Sequence, residues 1–218
     1  MKRLILLAVG LLVATVMMAQ TDAKKSGDDE FQTLFKGKKP VRIGWFVAGE
    51  PGYTQFDGKS AWLGGLSGGM VINHQFSVGL SGRIWYDPND YTEFSDTSLA
   101  YFVGGYGGVL LEYTLFPKSV VHLTFPVMIG GGGAAFIEDW NYNDKSNNSD
   151  KYNHDLKVFD NDFFFIVEPG VRAEVNLLPF MRLNAGVSYR FTSGYQMVIP
   201  SDKLNSFNVN VGIKFGKF

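Results

Sequence analysis

From Val41 to the last residue, apolar and polar positions alternate along the chain. Successive side chains of a strand point to opposite faces, so sustained alternation marks strands with one dry face. Eight segments carry the pattern. The first, near 40–49, aligns Val41, Ile43, Trp45 and Val47, and the second, 61–73, aligns Trp62, Leu66, Met70 and Ile72. The third, 75–86, sets Phe76, Val78, Leu80, Ile84 and Tyr86 against Gln75, Ser77, Ser81 and Arg83. The fourth, 98–115, sets Tyr101, Val103, Val109, Leu111 and Tyr113 against Glu112 and Thr114. The fifth, about 119–136, sets Val121, Leu123, Phe125, Val127 and Ile129 against His122 and Thr124. The sixth contains "FFFIVEPGVRAEVNL", whose odd positions are wholly apolar and whose even positions hold Glu168, Arg172 and Glu174. The seventh, 180–192, and the eighth, 205–217, repeat the scheme.

The connections alternate as well. Three are tight, at 73–75, 116–119 and 177–180, and four are long and polar, at 50–60, 87–97, about 137–161 and 193–204. Short turns at one end and long loops at the other predict an all-β, eight-stranded antiparallel up-and-down transmembrane β-barrel, with the short turns on the periplasmic side. Pro126, Pro169 and the "GGGG" at 130–133 fall inside predicted strands, where bulges or sharp bends are expected.

A soluble sandwich would turn the same apolar faces inward, so the alternation alone leaves the inside undecided. The rest of the chain decides it. Residues 1–19 pair the charged Lys2 and Arg3 with an apolar run ending in the small Ala19, the pattern of a secretory signal peptide. A polar linker, 20–38, follows, and the barrel domain occupies 39–218. The apolar faces are dense over about the 9–11 residues that cross a bilayer. The polar faces favour Gly, Ser and Asn over Lys, which suits a cramped interior. Aromatics gather near both ends of the strands: Trp62, Tyr86, Tyr101 and Phe163 at one, Phe76, Tyr113, Phe125 and Phe215 at the other. Two such girdles are expected at the two membrane interfaces.

Composition narrows the chemistry. There are no cysteines, so disulfides, thiol chemistry and a lipid anchor on an N-terminal Cys are excluded. Net charge is −1, and loss of Lys2 and Arg3 with the leader leaves 18 basic against 21 acidic residues, or −3; nucleic acid is not an expected partner. The polar-face charges are Arg42, Arg83, Glu112, Glu168, Arg172, Glu174, Arg182, Arg190 and Lys214, six basic and three acidic. Eight strands leave a lumen that side chains fill, so these groups are expected to form a structural network of Arg–Glu pairs with trapped water and no open pore.

The ending "NVNVGIKFGKF" resembles the C-terminal assembly signal of outer-membrane proteins, which the barrel-assembly machinery reads; Asn210, Gly212 and Phe215 match it, and the aromatic Phe218 falls one place late. "LSGGMVINHQFSVGLSG", "EPGVRAEVNLLPFMRLNAGVSYRF" and "KFGKF" are similar to a family of uncharacterised outer-membrane β-barrel proteins. That resemblance implies the fold and the cell outer membrane as location. It transfers no activity.

Catalytic candidates are sparse. His154 with Ser149 and Asp155 could serve a lipid A-modifying enzyme, and Asp144, Asn147, Asn148 and Asp150 could ligate Ca²⁺, but neither set has a defining spacing. "GGYGG" at 104–108 lacks the Lys and helix of a phosphate loop. The expectation is a monomeric, non-enzymatic barrel without cofactor, in contact with outer-membrane lipid and lipopolysaccharide, its role structural or carried by external loops. A narrow porin and a lipid A-modifying enzyme are the alternatives.

Overall fold

The computed structural model describes residues 41–56, 58–91, 100–138, 158–194 and 204–218, without the side chains of 88–91, 100, 138 and 158–160. The leader assigned to 1–19 and the linker at 20–38 lie outside these residues, as do the histidine and Ca²⁺ candidates at 144–155. The strands are β1 (Ile43–Phe56), β2 (Lys59–Ile72), β3 (Phe76–Tyr91), β4 (Ala100–Leu115), β5 (Val121–Glu138), β6 (Val158–Leu178), β7 (Met181–Ser193) and β8 (Ser206–Lys217). Each pairs antiparallel with the next, and β8 returns to β1 to close the barrel.

The alternation translates directly into two surfaces. Leu66, Leu80, Ile84, Phe163, Val187 and Val211 face outward and are exposed, as is nearly every apolar residue of their register. Inward lie Glu50, Arg83, Glu112, Glu168, Arg172, Glu174 and Lys214, all buried. A water-soluble chain does not present so continuous an apolar exterior. This is the polarity of a transmembrane barrel. Trp62, Tyr86 and Phe163 stand exposed toward the long-loop rim, and Phe76, Tyr113, Phe125 and Phe215 toward the short-turn rim. Two outward aromatic bands result, and Tyr86 and Tyr101 touch within the first, their ring centroids 5.7 Å apart.

Several boundaries differ from those expected. The connection at 50–60 is not long: β1 runs on to Phe56, β2 begins at Lys59, and Gly58 turns the chain at φ 77°. Pro51 and Gly52 have turn composition, yet cross-strand pairing overrides it. The strands also grow into the other long connections, β3 to Tyr91 and β5 to Glu138.

Pro51, Pro126 and Pro169 do not shift the register, whereas Pro88 lies within the β3–β4 shift between Asp87 and Tyr91. Pairing of β5 with β6 skips from Thr124–Arg172 to Val127–Pro169, then continues unchanged. Pairing of β6 with β7 skips from Val167–Phe191 to Gly170–Ser188. At Pro51 the β1–β8 pairing skips from Gly49–Ile213 to Gly52–Asn210. Pro51, Pro126 and Pro169 each lack one donor and interrupt pairing toward one neighbour only, while the other neighbour holds the strand. The bulges expected at Pro126, Pro169 and "GGGG" are therefore absent from those positions. Register shifts fall at Asp87/Tyr91, Phe136/Ile137 and Asn176/Leu178, near strand ends.

Candidate functional site

The interior is layered along the barrel axis. Toward the long-loop rim it is aromatic. Trp85 packs on Phe56, Phe102, Tyr106 and Phe164 with centroids 5.2 to 6.1 Å away, and Phe102 meets Phe136 at 4.9 Å. Ile166 and Leu204 complete this layer. The guanidinium of Arg190 lies over the Phe56 ring at 4.5 Å and donates to the Leu204 carbonyl at 2.8 Å and Thr54 Oγ1 at 3.2 Å.

Below the aromatics, charged groups form one connected chain. Tyr106 donates its hydroxyl to Glu168 Oε2 at 2.7 Å, and Ser188 donates to Oε1 at 2.5 Å. Arg83 bridges Glu168 at 2.8 Å and Glu50 at 3.5 Å. Arg172 reaches Glu50 at 2.8 Å and Glu112 at 3.0 Å. Lys214 joins Glu112 at 3.0 Å to Glu174 at 2.8 Å, and lies 4.7 Å from the centre of the Phe46 ring. Glu174 also holds Arg182 at 3.4 Å and His122 Nε2 at 3.2 Å. Arg182 then stacks on Phe218, 3.6 Å from its ring centre.

Of the nine charges assigned to the lumen from the sequence, eight are buried there: Arg83, Glu112, Glu168, Arg172, Glu174, Arg182, Arg190 and Lys214. Arg42 is the exception. It precedes β1, is exposed, and sits at the short-turn rim with its backbone N–H on Asn73 Oδ1 at 3.1 Å. Two acids missing from the sequence assignment, Glu50 and Asp87, are buried in the lumen. The signal for them is parity: Glu50 lies an even number of residues from the other inward β1 positions, and Asp87 follows Arg83 and Trp85. Both escape that signal because "EPG" and "DPND" look like turns. Among the described side chains, the correction changes the balance from six against three to five against five, excluding His122. Buried charge at parity is what a low-dielectric interior demands.

The glycines have a packing role. In "GGYGG", Gly104 and Gly108 face inward, and a Cβ on Gly108 would fall 2.1 Å from the Ile129 carbonyl oxygen. Tyr106 between them serves Glu168. No phosphate cradle is formed. In the C-terminal pattern, Asn210 is buried and a Cβ on Gly212 would fall 2.7 Å from the Gly49 carbonyl oxygen, so barrel closure itself requires Gly there. Phe215 faces outward and Phe218 is partly buried beneath Arg182. Among the described residues, no group of three or more His, Asp or Glu side chains could hold a metal ion.

A closed eight-stranded barrel with an apolar exterior and a charged, filled interior defines the class: a transmembrane β-barrel of the outer-membrane type. Comparison with solved structures agrees. Neisserial surface protein A superposes with a TM-score of 0.52 at 12% identity, covering 83% of this chain and 100% of its own. A major outer membrane protein from Thermus thermophilus superposes with a TM-score of 0.50 at 11% identity, covering 80% of this chain and 99% of its own. At these identities the likeness is one of fold alone. No protein-family model matches the chain, and no curated protein matches it.

Proposed function

We propose that the protein is a non-enzymatic outer-membrane barrel whose lumen is a structural strut and whose binding role is carried at the long-loop rim. The inverted polarity carries this reading: exposed Leu, Val and Phe outside, paired Arg, Lys and Glu inside. Lipid and lipopolysaccharide are the surroundings that such an exterior fits. The porin alternative is disfavoured by the aromatic layer under the long-loop rim, which fills the section where water would pass. The enzyme alternative is disfavoured because the luminal Ser188 and His122 are held by Glu168 and Glu174, carboxylates that Arg83 and Lys214 already engage inside a filled lumen.

Assembly by the barrel machinery is part of the same proposal. Asn210 and Gly212 are hidden once the barrel closes, so a signal comprising Asn210, Gly212, Phe215 and Phe218 would be read before closure. The barrel is proposed to act as a monomer. The test is membrane fractionation with heat-modifiable gel migration. The protein should sediment with outer membrane and migrate differently before and after boiling. Recovery in the soluble periplasmic fraction, with no mobility change, would sink the reading.

A further inference from the structure

Among the described residues, the short-turn rim collects exposed positive charge. Arg42, Lys118 and Lys217 are exposed there, His74 is half-buried, and no exposed Asp or Glu side chain accompanies them among the described residues. Two concavities open at this rim and meet at His74 and Phe218. One, about 490 Å³, lies where the ends of β8, β1 and β2 converge and is lined by Arg42, His74 and Lys217 over Ile43, Val71 and Phe218. The other, about 480 Å³, has Lys118 as its exposed cation, because its Arg182 is already engaged by Glu174 and Phe218.

The first concavity is held in shape. Asn73 and His74 form the β2–β3 turn in the left-handed region, at φ 51° and 63°. A turn of this kind favours Asn followed by Gly, so His at the second position carries strain that Gly would not. Asn73 takes the Arg42 N–H on its side chain at 3.1 Å and donates its own N–H to the Arg42 carbonyl at 2.9 Å. The turn thereby fixes Arg42 beside the histidine. Trp45, Phe76, Tyr113 and Phe215 form the exposed aromatic band just toward the membrane from these cations. Such bands sit at the headgroup boundary, so the cations stand at the level of lipid phosphates.

We propose that the Arg42–His74–Lys217 concavity binds the phosphodiester headgroup of an anionic phospholipid in the leaflet facing the short turns. The guanidinium supplies two parallel donors to phosphate oxygens, the ammonium a point charge and the imidazole a further N–H. Exposed Ile43 beside them offers an apolar start for the acyl chains. The proposal rests on the transmembrane reading.

The test is native mass spectrometry of the full chain released from bilayers of phosphatidylglycerol and phosphatidylethanolamine. Wild type should retain phosphatidylglycerol preferentially. Arg42→Gln and Lys217→Gln should each lower that retention about fivefold, and the pair more. Lys59→Gln, at the opposite rim, should leave it unchanged. Heat-modifiable migration of every variant separates a failed barrel from a failed site. If Lys217→Gln prevents assembly, the Arg42→Gln/His74→Gln pair, which leaves β8 intact, carries the test. Undiminished retention in the assembled double variant overturns the proposal, as does an equal loss in Lys59→Gln. So does capture of an Asp/Glu-rich peptide with no preference between the lipids, which would assign the rim to an acidic protein partner.

Discussion

Arg172 is the junction of the luminal network, because it alone joins the Glu50 and Glu112 carboxylates. Replacing it with Gln leaves two buried acids short of a cation. Breaking a buried pair in this way costs about 3–5 kcal/mol, whereas an exposed charge away from such features changes stability by about 0.5 kcal/mol or less. Arg172→Gln should therefore lower the guanidinium unfolding midpoint in detergent strongly, and Arg42→Gln hardly at all. Equal shifts would refute the placement of one inside and the other outside. Glycine makes a second residue-scale contrast. A methyl on Gly108 meets backbone of β5 at 2.1 Å, while one on Gly82 meets nothing nearer than 4.0 Å. Gly108→Ala should cost about 1–3 kcal/mol of overpacking and Gly82→Ala little, as read from the same unfolding curves.

For the strands, the governing fact is that each has a lipid face and a luminal face. In β3, Leu80 lies about midway between the aromatics Phe76 and Tyr86 and is 68% exposed. Arginine on the lipid face at that depth costs about 2–4 kcal/mol, so Leu80→Arg should destabilise the barrel in vesicles by that amount. A soluble barrel would tolerate the change, and an unaltered midpoint would argue for one. Strand existence, and which residues share a face, are legible from parity alone; which face is inside takes the rest of the chain. Strand ends are not. Pro51, Pro88 and Asn89 carry turn composition, and only the pairing across the sheet, of Pro51 with Gly64 and of Asp87 and Tyr91 with β4, shows that β1 and β3 pass through them. For the same reason Pro126 and Pro169 suggest bulges that do not form: a missing donor is a local property, whereas a register held from the other side is not.

At the level of the whole molecule, the filled interior predicts electrical silence. Purified protein in planar bilayers should show no steady channel conductance, since the aromatic layer and the paired charges together occupy the lumen. A reproducible unit conductance would overturn the structural role proposed for the interior. The layering itself cannot be read from the chain. Phe56, Trp85, Phe102, Phe136 and Phe164 come from five different strands. Each looks like a stray aromatic on a polar face, and they become one cluster only when the barrel closes.

Alternation, the tight turns and the polar face determined the fold class, the eight strands and eight of the ten charges buried in the lumen among the described residues, because side-chain parity is a local property of an extended backbone. Which charge meets which was decided by the closed barrel. Glu50 and Arg172 are 122 residues apart in the chain yet joined across the lumen, and their meeting depends on strand stagger and on β8 finding β1. Charge balance, the aromatic layer and the basic concavity at the short-turn rim arise in the same way, from strands that only closure brings to one level.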